Sequence, residues 1–404
     1  MSDHASTSPR EGALGGGTLA RVVAPGAFLA ASWTWCIGMF LPILLARDFG
    51  PWSYIVFALP NCVGAGVMGM NLARRKAGHG AAGVLAAHRR ASIAFGAVTM
   101  AFQWYFLIWM LADAPRDQLL GLLPAAIVGM LLATWWRSGR LQGGLGGVAA
   151  VAISLALGAA WLIRGDVPGV VPPAPPRPLG ELLPLAGVCS LGFLLCPYLD
   201  RTFLQTADRC GPRAAPAAFV VGFLAIFPLL ILITHLAWPS VGVQPGPLGP
   251  ALYPALLSLH VAMQLGFTIA AHDRSMADHP GRGLGVSPWS GLAFLVGAGL
   301  AIAAGFLRLG LHGLEGHEVV YRGFMAFYGL VFPAYVWCCM IPAGWTGEPT
   351  RRRLLAFGGA VVLAAPFFYL GMMMRETWWL LPGVSIVLAA RWLAPATDSD
   401  QPAT

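Results

Sequence analysis

Residues 192–206 read GFLLCPYLDRTFLQT, an apolar run that meets Pro197 and then the adjacent pair Asp200–Arg201. A helix breaker and two opposite charges in one such segment lie within a membrane, at its edge or outside it, and the fold depends on which. Composition supplies the frame. Of 404 residues, 57% are hydrophobic and 10% charged, whereas a soluble domain carries roughly 25% charged residues. This chain cannot cover a water-facing surface. The composition predicts an all-α integral membrane protein.

A helix needs about 20 apolar residues to cross the hydrocarbon core. On that ruler about twelve transmembrane helices are expected, the first six at roughly 22–46, 51–73, 91–113, 118–136, 144–163 and 180–204. The second six fall at roughly 215–238, 250–272, 286–307, 319–345, 354–374 and 377–394. Trp52, Trp238, Trp345, Trp378 and Trp379 lie near span ends, as in an aromatic belt.

The basic residues test the count. With both termini cytoplasmic, only Arg47, Arg116, Arg164, Arg177, Arg308, Arg322 and Arg375 of the 25 lysines and arginines fall outside. That bias follows the positive-inside rule and predicts a multi-pass protein of the inner, cytoplasmic membrane. The net charge of +8 is thereby assigned to topology, and no nucleic-acid partner is expected; the lipid bilayer is the expected surround. The seven cysteines show no CxxC or metal-ligand spacing, so free thiols without a metal or cofactor are expected.

Residues 1–20 read as a polar, disordered cytoplasmic tail, and 395–404 as a second one. The segment 165–178, GDVPGVVPPAPPRP, reads as a stiff external linker. The loop 74–90 reads as a basic cytoplasmic connection with room for a short interfacial helix. The linker separates two five-helix units, 21–164 and 179–345, followed by two additional helices in 346–394. An odd number of spans per unit inverts the second relative to the first, the arithmetic of a 5+5 inverted repeat. The first span of each unit is then the expected broken helix. Span one holds Ser32, Trp33, Thr34 and Gly38 between Pro25 and Pro42, and span six holds Ser190, Gly192 and Pro197.

This plan resembles the amino acid–polyamine–organocation superfamily with its LeuT-like fold, and is most similar to the sodium:solute symporters. The resemblance is architectural and covers residues 22–345. It implies a secondary transporter of a small-molecule solute coupled to a proton or sodium ion. Two features differ: the connection 239–249 is brief, and span eight offers only Ser258 and Thr268 as small hydroxyls, ten residues apart.

Polar residues within spans mark the candidate pathway. On span eight His260, Gln264, Thr268 and His272 recur at i+4, one continuous stripe along a helix. Such a stripe lines a water-filled path, relays protons or fastens helices; its continuity favours a proton over sodium. Pro60 and Asn61 lie mid-span two, while Gln103 and His235 read as packing contacts. Asp200 has two readings: an interfacial partner of an arginine, or, with Tyr198, the start of a second half-helix at the inner mouth. Ser32, Trp33, Thr34, Asn61, Ser190, Tyr198, Asp200, His260, Gln264 and Thr268 therefore form the expected solute and ion pathway. No GxSxG, HExxH, Walker or paired-carboxylate pattern is present, so no catalytic residue is assigned. A non-transporting membrane module (a sensor or assembly subunit) and a membrane-embedded transferase are the alternatives.

Overall fold

The structure is a computed structural model describing residues 19–74, 80–114, 116–135, 145–163, 177–236, 252–277, 287–306 and 311–393. The N-terminal tail before residue 19, the linker up to residue 176, the connection 239–249 and the C-terminal tail lie outside the described residues.

The described residues are helical almost throughout; a single antiparallel bridge, Leu311 with Leu314, is their one β feature. The first helical path is broken. Helices α1 (Ala24–Trp33) and α2 (Cys36–Phe49) meet at a 60° bend. The cause is local. Thr34 (ψ 71°) and Trp35 (ψ 173°) leave the helical region, and the Ser32 and Thr34 hydroxyls donate to the carbonyls of Leu29 and Ala30 at 3.1 and 2.7 Å. Side-chain hydroxyls that engage preceding carbonyls in this way bend helices.

Helices α3 (Ser53–Ala73), α4 (Ala81–Ala87), α5 (Arg89–Asp113), α6 (Arg116–Trp135) and α7 (Leu145–Ile163) follow. The short α4 occupies the loop where the sequence leaves room for one.

The second break falls in the segment GFLLCPYLDRTFLQT. Helix α8 (Leu182–Leu195) tightens into a three-residue-per-turn stretch, Cys196–Leu199. Pro197 supplies no N–H there. Asp200 (ψ 113°) then accepts from the Thr202 N–H at 2.7 Å and so caps α9 (Arg201–Val220). Helix α9 kinks at Gly211 (φ 69°, ψ 174°), a conformation that favours glycine, and a wide turn at Val221–Ile226 carries it into α10 (Phe227–Leu236). Residues 205–214, expected between spans, are thus helical, because Asp200 starts a new helix where the apolar run ends. Helices α11 (Leu252–Met276), α12 (Pro288–Phe306), α13 (Gly316–Tyr335), α14 (Arg351–Met372) and α15 (Leu380–Ala390) complete the chain.

Among the described residues, seven helices are long and apolar enough to cross a membrane, or eight if the bent α1–α2 pair is one span; shorter apolar helices occupy 119–134, 145–160 and 377–393. The distribution of polarity fits a bilayer. Leu120 and Leu131 on α6, Leu295 and Ile302 on α12, and Val362 and Leu363 on α14 are exposed, whereas Gln103, Asp200, His260, Gln264 and His272 are wholly buried. A soluble protein has the reverse arrangement. This is a helical membrane protein.

Helix α1 is central: every residue from Gly26 to Trp33 is buried, and it packs against α7, α9 and α11. Close crossings depend on glycine. A Cβ on Gly129 of α6 would lie 2.0 Å from the Met263 carbonyl oxygen, and one on Gly266 of α11 would lie 2.1 Å from that of Ala126. On α3, a Cβ at Gly64 would meet the Phe193 carbonyl at 2.2 Å. Without a hydrophobic drive between helices in lipid, such backbone approach supplies the dispersion contacts that hold them.

Candidate functional site

The two breaks face each other. Trp33, at the end of α1, packs its ring 4.9 Å from that of Phe203, at the start of α9. The Trp33 Nε1 donates to Asn61 Oδ1 at 2.7 Å, which assigns the mid-helix polar residue beside Pro60 a partner across the break. The Thr202 hydroxyl lies 3.4 Å from Ser32 Oγ. Gln103, read from sequence as a packing contact, does more. Its Oε1 accepts from the Cys36 N–H at 3.0 Å, the first turn of α2, while Tyr321 donates to the Cys36 carbonyl at 3.0 Å. Gln103 thus satisfies a backbone N–H that the break released, and Tyr321 adds a bond to the first turn of α2. Gln103→Leu leaves that buried N–H unpaired and is expected to cost about 1–3 kcal/mol; thermal unfolding in detergent measures it, and Gln103→Glu, which keeps the acceptor, is expected to lose less.

Asp200 is 0% exposed. Its Oδ1 accepts from both the N–H and the hydroxyl of Thr202, at 2.7 and 2.6 Å. Its Oδ2 lies 3.4 Å from Nε2 of His272, and among the described residues neither atom has a hydrogen-bond partner. The partner of Asp200 is therefore a histidine 72 residues away. Arg201 turns elsewhere, donating to the Ser275 carbonyl at 2.9 Å and to Ser92 Oγ at 3.2 Å. His272 Nδ1 lies 3.0 Å from the Thr268 carbonyl oxygen, which only accepts, so Nδ1 carries a hydrogen. An ionised Asp200 opposite an unprotonated Nε2 would bring two lone pairs together.

The rest of the stripe also faces protein. Gln264 donates to Ser154 Oγ of α7 at 2.7 Å, Thr268 lies 3.4 Å from the Ala31 carbonyl, and both ring nitrogens of the buried His260 lack a partner. Tyr198 is not in the same cluster: its hydroxyl accepts from Asn71 at 2.7 Å and its ring packs on Trp345. Ser190 is half-buried on α8, on a different face from Cys189, Gly192 and Cys196, which line a pocket.

That pocket encloses about 890 Å³ including its opening. Trp33, Trp35, Cys196 and Tyr328 form its floor, and Asp48, Arg177, Arg322 and Arg375 lie at its far end. There Arg47 binds Glu318 through two bonds of 2.7 and 3.0 Å, Arg322 binds Asp48 at 3.0 Å and Glu318 at 2.8 Å, and Arg47 binds Asp48 at 3.0 Å. The network joins the end of α2 to the start of α13. A second pocket of about 280 Å³ lies beyond the breaks, lined by Phe28, Thr202, Gln205, Arg209, Ala271 and Arg274 among others. Trp35, whose ring stands edge-on to His272 at 5.7 Å, lines the first pocket, and Ala271, the neighbour of His272, lines the second. The Asp200–His272 pair thus touches residues of both pockets, Trp35 of the first and Thr202 of the second.

Sequence reasoning singled out His272 as part of the stripe but did not find its partner, since the adjacent Arg201 was the stronger local signal. The rim network carried one legible sign, the i+4 spacing of Glu318 and Arg322. Among the described residues no group of three or more His, Cys, Asp or Glu could hold a metal ion. No protein-family model matches the chain, and no curated protein does.

Proposed function

We propose that the protein is a proton-coupled secondary transporter of a small solute, working by alternating access across the inner membrane. The carrying observation is that two discontinuous helices meet between two pockets on opposite sides of their breaks. Half-helix ends at mid-membrane, with irregular backbone lining a cavity, are how transporters hold solutes and ions. In this reading, which the bias of basic residues supports, the pocket that reaches Arg209 and Arg274 opens to the cytoplasm and the larger pocket to the outside.

In this reading α1–α2 is span one, and α3, α5, α6 and α7 are spans two to five. The α8–α9 path to Gly211 is span six, its continuation through α10 is span seven, and α11 to α15, without further breaks, are spans eight to twelve. Packing partners then recur with a shift of five. Span three against nine (α5 with α12) is answered by eight against four (α11 with α6). Span one against five (α1 with α7) is answered by six against ten (α8 with α13), and two against six (α3 with α8 and α9) by seven against one (α10 with α2). That recurrence supports the 5+5 inverted repeat plus two.

The Asp200–His272 pair is the coupling site, taking up a proton from one side and releasing it to the other as the broken helices move. The test is flux. Purified protein in liposomes with an acid-outside gradient is expected to accumulate at least one component of a labelled small-metabolite extract, and an uncoupler is expected to abolish this. Accumulation driven by sodium and indifferent to the pH gradient would overturn the proton assignment. No gradient-driven accumulation of any component by folded protein would overturn transport itself.

A further inference from the structure

The larger pocket has a chemical character that narrows the solute, and this inference rests on the transport reading. Its walls are apolar: Trp35, Leu44, Leu185, Val188, Phe193 and Met325. Its rim is not. The two acids of the rim network, Asp48 and Glu318, are each held by both Arg47 and Arg322, and Arg177 is paired with Glu181 at 2.6 Å. Those six charges cancel. Arg375 also lines the pocket, and among the described residues its guanidinium has no hydrogen-bond or ion-pair partner. Glu376 points to the exposed surface and does not line the pocket.

Two further observations mark the position. Arg375 adopts φ 64°, which a non-glycine residue holds only when its surroundings enforce it; Arg177 does so in part, donating to the Arg375 carbonyl. Two residues on, Thr377 lines the same pocket, is 3% exposed, and its hydroxyl has no partner among the described residues. A buried hydroxyl without a partner is costly, and Arg375 brings to the same pocket a guanidinium that the rim acids do not neutralise.

We infer that Arg375 and Thr377 bind the carboxylate of the transported solute, an organic anion whose apolar body, aromatic or branched aliphatic, fills the pocket below. A guanidinium fork matches a planar carboxylate through parallel N–H bonds, and the hydroxyl adds a third donor. A cation would meet Arg375, and a solute without an oxygen or nitrogen acceptor would leave both donors unpaired.

Calorimetry on the full chain in detergent tests this with benzoate, isovalerate and hydrocinnamate, each against its alcohol and its amine. At least one carboxylate is expected to bind about tenfold or more tighter than its alcohol and amine. Arg375→Gln and Thr377→Val are each expected to remove most of that preference. Val188→Trp, which fills the pocket, is expected to abolish binding of the preferred carboxylate and so to place it there. Absence of binding by every carboxylate, equal or better binding of alcohol or amine, or a preference that survives both substitutions would overturn the inference. A dodecanoate arm separates soluble acids from membrane-derived ones: tighter binding of dodecanoate, untouched by Val188→Trp, would place the carboxylate outside this pocket and overturn it too. Solute-free labelling of the two pockets reports on transport separately, so failure of the anion assignment and failure of the transport reading are distinguishable.

Discussion

Asp200→Asn is expected to abolish proton-driven accumulation in liposomes while leaving the protein folded and able to exchange solute across the bilayer. Asparagine caps helices about as well as aspartate, so α9 keeps its start and thermal stability changes by no more than a few tenths of a kcal/mol. What disappears is the second proton-binding atom opposite His272 Nε2, 3.4 Å away in the parent. The other charged and titratable groups nearby have their own contacts: Arg201 with Ser275 and Ser92, Tyr328 with the Thr99 hydroxyl, and Asp273 with Ser287 and Ser290. His272→Gln, which removes the imidazole opposite Asp200, is expected to abolish proton-driven accumulation in the same way. Asp200→Ala adds a separate penalty, loss of the cap, worth about 0.5–2 kcal/mol. Accumulation by Asp200→Asn with the parent's pH profile would remove the pair from the coupling mechanism.

Gly129→Val is expected to give the largest loss of stability. Its Cβ would fall 2.0 Å from the Met263 carbonyl and 2.8 Å from the Phe267 nitrogen, both backbone atoms that no rotamer change can move. Helices α6 and α11 must separate, and overpacking of this kind costs about 1–3 kcal/mol or more. Because α11 carries Gln264, Thr268 and His272 against α7, α1 and α9, the displacement also carries into the site. Gly299→Val on α12, where a Cβ meets nothing within 4 Å, is the control and should leave the unfolding temperature nearly unchanged. Equal behaviour of the two variants would contradict the close crossing.

Much of this was legible because membranes make polarity informative. Pro197 followed by Asp200 marked the second break, since a proline and a capping residue end one helix and begin another. The i+4 stripe predicted four residues on one side of α11, and all four are buried. The first break was located by its polar residues, yet Pro25 and Pro42 lie inside α1 and α2, and the bend is made by the hydroxyls of Ser32 and Thr34 instead. Long-range partners were not legible. Nothing local joins Asp200 to His272, Gln103 to Cys36 or Arg375 to a pocket formed by α2, α8 and α13. Ser190 shows the converse: it is polar and lies within a broken span, but helical phase turns it from the pocket its neighbours line.

Labelling from each face of the membrane tests the central claim most directly. In a background with the seven cysteines replaced, Leu41→Cys reports on the larger pocket and Gln205→Cys on the smaller, each being half-buried at a pocket wall. With an impermeant thiol reagent, Leu41→Cys is expected to react from outside and Gln205→Cys from the cytoplasmic face. A shift from mildly alkaline to mildly acidic pH is expected to change the two rates in opposite directions, and Asp200→Asn to freeze both. Rates that rise or fall together, or that ignore pH in the parent, would contradict an alternating-access transporter driven by this pair.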